Sequence, residues 1–102
     1  MIFIISYDIS KNANRNKVAK YLIKKGFARL QYSVFAGQAE WRTITTIKTE
    51  LTILLQHQNP YAANDKLMVL RINKNSFDTM WTQGAFFEPK LFTGTKKDLI
   101  FL

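Results

Sequence analysis

At 102 residues and without a cysteine, the chain has the length of one compact domain and excludes a disulfide framework, a thiolate zinc site and a cysteine nucleophile. Hydrophobic residues make up 47% and aromatics 14%, enough to pack a core and to exclude a disordered chain. The net charge is +8, and nearly all the excess lies between Ile9 and Ala39, where seven basic residues meet no acidic one. Such a local field attracts polyanions, nucleic acid above all.

Ile2 to Tyr7 is a nearly continuous apolar run, the mark of a strand buried on both faces. No basic region precedes it and no small-residue cleavage site follows, so it reads as a strand and not as a signal peptide. Polar Lys11 to Asn14 can supply an N-cap. A helix follows, with Val18, Ala19, Leu22 and Ile23 as its apolar stripe and Gly26 as its stop. Lys17, Lys20 and Lys24 share the opposite face.

Phe27 to Phe35 alternates and is expected to form one strand ended by Gly37. Leu30, Tyr32 and Val34 point one way, Arg29, Gln31, Ser33 and Phe35 the other. Glu40 to Gln56 returns to helical spacing through Ile44, Ile47, Leu51, Leu54 and Leu55, although its threonines are weak helix formers. A loop spans Gln58 to Asp65, and Lys66 to Asn73 is a strand. Phe77, Met80 and Trp81 have the spacing of a short helix. A fourth short strand is expected in the irregular stretch around Gly84, Pro89 and Gly94, and the chain closes on apolar Leu99 to Leu102.

This order predicts an α+β fold, a ferredoxin-like βαββαβ sandwich with an antiparallel sheet. Residues 1–102 form a single domain, with 1–82 as core and 83–102 as a C-terminal segment. Both helices cover one face of the sheet. Arg29, Gln31, Ser33 and Phe35 are expected on the bare face, which a second copy of the chain would cover. No apolar run reaches the ~18 residues of a membrane span, so a soluble, cytoplasmic protein is expected.

Asp8 is the only acid among the first 39 residues and stands where a buried strand ends. Carboxylates favour such positions as turn or cap residues. They also suit a hard cation such as Mg²⁺, which often takes one or two protein carboxylates and keeps water or phosphate elsewhere. A twofold dimer would set two Asp8 side chains across its axis. His57, in a polar stretch at a helix end, is a weak candidate base. Arg15, Lys17, Lys20, Lys24 and Arg29 suit phosphate contacts. Tyr7, Tyr32 and Phe35 are aromatic candidates for base stacking or, more commonly, for core. Trp41 and Trp81 read as packing residues.

Tyr7-Asp8-Ile9, Arg15-Asn16-Lys17-Val18, Gly26, and Arg29-Leu30-Gln31-Tyr32-Ser33-Val34-Phe35 with Gly37 resemble the second universal CRISPR-associated protein, the endonuclease of the spacer-acquisition complex and partner of the CRISPR integrase. The resemblance covers about the first 40 residues strongly. It implies a ferredoxin-like homodimer whose last strand, here Leu99 to Leu102, pairs with the partner protomer. Asp8 matches the family's Mg²⁺-binding aspartate, with Mn²⁺ as the alternative ion. Tyr7, Arg15, Arg29 and Phe35 match positions tied to nuclease activity. The implied role is to bridge integrase dimers, hold double-stranded prespacer DNA and cleave RNA or DNA. A toxin-type small ribonuclease and a nucleic-acid scaffold with a vestigial site are the alternatives.

Overall fold

The computed structural model describes residues 1–58 and 64–84, with backbone alone at 57 and 58. Its elements run β1 (Ile2–Asp8), α1 (Asn12–Lys24), β2 (Ala28–Gln31), β3 (Val34–Gln38), α2 (Trp41–Gln58), β4 (Lys66–Ile72) and α3 (Lys74–Asp78). The four strands form one sheet in the order β2-β3-β1-β4, every neighbouring pair antiparallel. This is the ferredoxin-like α+β arrangement. No described helix is long and apolar enough to cross a membrane. The strand expected near Gly84 to Gly94 and the closing Leu99 to Leu102 lie outside the described residues.

The register fixes which side chains share a face. Phe3, Ile5 and Tyr7 of β1 lie level with Gly37, Phe35 and the β4 residues Arg71, Val69 and Leu67. On this side α1 and α2 bury Val18, Ala19, Leu22, Ile44, Ile47 and Leu51 against Phe3, Ile5, Tyr7 and Phe35. Burying each such large apolar side chain contributes about 1.5–3 kcal/mol, which offsets the poor helix propensity of the α2 threonines. Those threonines turn inward on their own helix: Thr45, Thr46, Thr49 and Thr52 donate to the carbonyls of Trp41, Arg42, Thr45 and Lys48.

On the other side, Ile2, Leu30 and Ala36 are covered by Phe77 of α3, whose cap is the Asn73 side chain accepting from the Ser76 N–H. That cover stops short. Met68 and Leu70 remain 59% and 50% exposed beyond it.

Three expectations change. Phe27 to Phe35 is not one strand: it turns at Tyr32 and Ser33 into the β2–β3 hairpin, which gives the sheet of the described residues its four strands. The turn carries neither glycine nor any residue of positive φ, so it lacks the usual hairpin signal, and a bulge between Arg29 and Gln31 absorbs the mismatch. Gly37 does not end a strand. It sits inside β3 opposite Phe3, where an added Cβ would come within 2.7 Å of the Phe27 ring. Finally, Phe35 and Arg29 do share a face, as the alternation predicts, but it is the helix-covered one; Phe35 is fully buried. Alternation groups residues without saying which group is covered.

Gly26 behaves as predicted. Its φ is 91°, the Gly26 N–H donates to Ile23 and the Phe27 N–H to Leu22, closing α1 in a Schellman turn that seats Phe27 in the core. Ile23, assigned to the apolar stripe, is 53% exposed, and so is most of Trp81, at 79%. Trp41 keeps a packing contact, edge-on to Phe3 at 5.2 Å between ring centroids.

Candidate functional site

The C-terminal end of β1 delivers two consecutive side chains to opposite sides of the sheet. Tyr7 goes under the helices, stacked on Phe35 with ring centroids 6.1 Å apart. Asp8, level with Lys66, goes to the open side and is exposed. Strand alternation alone enforces the split.

Around Tyr7 the chain gathers its two central arginines. The Tyr7 hydroxyl donates to the Tyr32 carbonyl at 3.2 Å, and Nη2 of Arg29 donates to the same oxygen at 2.9 Å. The Arg29 guanidinium lies 5.5 Å from the Phe35 ring centroid and 5.7 Å from that of Tyr32, within cation–π range. Arg15 points back along α1, donating from Nη1 to the Ile9 carbonyl at 2.9 Å. The β1–α1 connection is held further by Asp65, whose Oδ1 accepts from both the N–H and the hydroxyl of Ser10. Burial pushes the Tyr7 phenol above its ordinary range, while the charges of Arg29 and Arg15 pull the other way. Tyr7 is therefore a protonated hydrogen-bond donor at neutral pH and not a base.

Arg15 and Arg29 both line a cleft of about 400 Å³, together with Asn12, Asn16, Tyr32 and Ser33. The start of α1 adds no opposing charge: its first turn carries no acid, and the N-cap position, Lys11, makes no side-chain cap bond. The N-cap expected among Lys11 to Asn14 is thus Lys11, without a side-chain cap, and no acidic side chain of the first turn offsets the positive end of the helix dipole. An anionic phosphate suits such a cleft.

Of the residues singled out from sequence, the structure brings together Tyr7, Arg15, Arg29 and Phe35. Phe35 is the buried floor under Tyr7 and Arg29 and does not reach solvent. Lys17, Lys20 and Lys24 are exposed along the outer face of α1 and do not line the cleft. The His57 side chain lies outside the described residues. Asn12 and Asn16 were seen only as part of the N-cap stretch and of the Arg15-Asn16-Lys17-Val18 segment; the signal for their place in the cleft is their i, i+4 spacing on the face of the helix that carries Arg15.

An implied divalent cation must be tested against these residues. Among the described residues, no group of three or more His, Cys, Asp or Glu could hold a metal ion. A closed protein cage is therefore not built by one chain. A single exposed carboxylate, Asp8, does fit an ion that keeps most of its water shell.

Residues 1–80 match the family model described as CRISPR associated protein Cas2. The chain is 28% identical over 79 residues to the CRISPR-associated endoribonuclease Cas2 2 of Pyrobaculum aerophilum, covering 78% of this chain and 81% of the relative. A shorter match of 34 residues, 33% of this chain and 36% of the relative, is 53% identical to the CRISPR-associated endoribonuclease Cas2 1 of Methanospirillum hungatei. Streptococcus pyogenes Cas2, in its crystal structure at pH 6.5, superposes with a TM-score of 0.68 at 22% identity over 82% of this chain and all of that one. The hypothetical protein TT1823 from Thermus thermophilus gives a TM-score of 0.66 at 22% identity, over 83% and 92%. The structural likenesses speak for the fold, and the family match spans every described element: the chain belongs to the CRISPR-associated protein Cas2 family.

Proposed function

We propose that the protein is a homodimeric, Mg²⁺-dependent endonuclease subunit of CRISPR adaptation that handles nucleic acid through its arginine cleft and carries Asp8 as its metal ligand. The observation that carries the proposal is the split at the end of β1. Tyr7 anchors a cationic cleft on one side of the sheet, and Asp8 presents a carboxylate on the open side beside exposed Met68 and Leu70. Two copies meeting on that open side would bury the apolar residues and bring two carboxylates toward one axis. RNA is the favoured substrate because the relatives above are named endoribonucleases. Duplex prespacer DNA, held between integrase dimers, is the partner implied by the sequence resemblance.

In this reading Asp8 would hold the cation, which supplies Lewis-acid polarisation of a phosphoryl oxygen and acidifies a bound water. Arg15 and Arg29, on the other side of the sheet, bind and orient a neighbouring phosphate of the same strand. Tyr7 fixes the Tyr32 carbonyl to which Arg29 is tied, and Phe35 lies beneath the Tyr7 ring and the Arg29 guanidinium. Tyr7, held protonated by burial, is not a base at neutral pH. Asp8→Asn should therefore lower metal-stimulated cleavage of a labelled RNA by at least a hundredfold, with melting temperature and sedimentation unchanged. Cleavage equal to the parent's would remove Asp8 from the mechanism.

A scaffold reading draws on the exposed Lys17, Lys20 and Lys24 along α1. If those lysines track a duplex backbone, the triple change to Glu weakens duplex binding, and binding falls with salt at a slope of about −0.9 per phosphate neutralised. A flat salt response would count against it.

A further inference from the structure

The cleft between α1 and the β2–β3 turn is shaped for more than a phosphate. We propose that it is a nucleobase subsite, in which one unpaired base stacks on the Tyr32 ring while Asn12 and Asn16 contact the base edge and Arg15 and Arg29 hold the adjoining phosphate. The inference rests on the nucleic-acid reading above and assigns the strandedness and local specificity of the ligand.

Three observations point this way. Tyr32 is 75% exposed, although its backbone carbonyl is the node that receives both Tyr7 and Arg29. The carbonyl thus locks the turn in place while the ring stays presented to solvent. The Arg29 guanidinium lies within 5.7 Å of that ring, which pairs an aromatic platform with a cation, the combination on which unpaired bases stack. And the cleft is concave, about 400 Å³, with two asparagine amides among its walls. Its volume is within the range of ligand pockets, roughly 300–1,000 Å³. An amide offers a donor and an acceptor side by side, the pattern that pairs with a base edge. A paired, stacked base in a duplex cannot enter such a cleft. Phosphate contacts alone would need neither the aromatic ring nor the amides.

The test measures binding of fluorescein-labelled 12-nucleotide probes by anisotropy, without added metal so that cleavage does not intervene. RNA and DNA single strands of the same sequence, the blunt DNA duplex, and a single strand with one abasic position are compared. Tyr32→Ala should weaken single-strand binding about tenfold or more, Tyr32→Phe should restore it, and duplex affinity should stay within twofold in both variants. The abasic strand should bind the parent more weakly than the intact strand, and that difference should vanish in Tyr32→Ala. The Asn12→Ala/Asn16→Ala pair should flatten the preference among oligo-A, oligo-C and oligo-U without a matching loss on duplex. A tighter RNA arm would assign a 2′-hydroxyl contact; equal arms would place recognition in the base and phosphate alone, and either agrees with the proposal. Equal losses on single strand and duplex, or no loss in Tyr32→Ala, overturn the subsite while leaving nucleic-acid binding intact. A parent protein that binds no probe overturns the nucleic-acid reading itself and the subsite with it.

Discussion

The two sides of the sheet are made by the same four strands and yet behave as different materials. On the helix side, Phe3, Ile5, Tyr7 and Phe35 are sealed beneath α1 and α2, and two polar groups beside them, the Tyr7 hydroxyl and the Arg29 guanidinium, converge on one carbonyl. On the other side the five-residue α3 covers only the end near Ile2, leaving Ser6, Asp8, Met68 and Leu70 at a surface that mixes a carboxylate with exposed apolar side chains. The first side is a built interior that supports a cationic cleft. The second has the composition of a surface made to meet another one. A single strand can serve both because its side chains alternate, so a structural residue and a chemically exposed one can be neighbours in sequence.

The contrast can be broken most severely at Phe35. Truncation to Ala removes a fully buried ring from under Tyr7 and Arg29 and should cost about 3–5 kcal/mol in urea unfolding. Met68→Ser, level with Ser6 on the open side, should change the stability of the isolated fold by less than about 0.5 kcal/mol. A much larger loss for Met68→Ser, growing with protein concentration, would mean that the open side is covered in solution.

Gly37→Ala probes how tightly the covered side is filled. The new methyl would meet the Phe27 ring at 2.7 Å, so overpacking should cost about 1–3 kcal/mol. Phe27→Leu in the same chain should recover part of that loss if the ring is the obstacle. Independent, additive losses would show that it is not.

Tyr7→Phe is smaller. It removes the hydrogen bond to Tyr32 and should cost about 0.5–1.5 kcal/mol near neutral pH. Its pH dependence is the sharper reading. The folded state keeps the Tyr7 phenol protonated above its ordinary value of 10.0 through burial, and Tyr21 shifts the same way through burial and its hydrogen bond to Glu50. A raised folded pKa leaves stability intact below about pH 10, and that contribution drains away as pH climbs toward the folded values. Urea midpoints from pH 8 to 11 should therefore fall less steeply in Tyr7→Phe/Tyr21→Phe than in the parent. Parallel curves would show that neither phenol is buried to any consequence.

Much of this was legible in the chain itself. The basic stretch, the apolar run ending at Asp8, the stripe through Val18 and Leu22, and the Gly26 stop each follow from local rules of charge, period and backbone freedom, and so does the grouping of Arg29 with Phe35. The hairpin was not legible, because the Tyr32-Ser33 turn carries no glycine and the bulge hides the reversal. Nor was the place of Asn12 and Asn16 in the cleft, which exists only once the β2–β3 turn comes to rest against the start of α1.

The sequence by itself determined which residues travel together on a strand or a helix, since alternation and the 3.6-residue turn are properties of the backbone and of neighbours a few positions away. Only the tertiary structure decided which of those groups became interior and which became surface, because that choice is made by where the helices pack. Phe35 could have faced outward on its own strand; it is inside because β3 lies beside β1, and α1 and α2 cover that side of the pair.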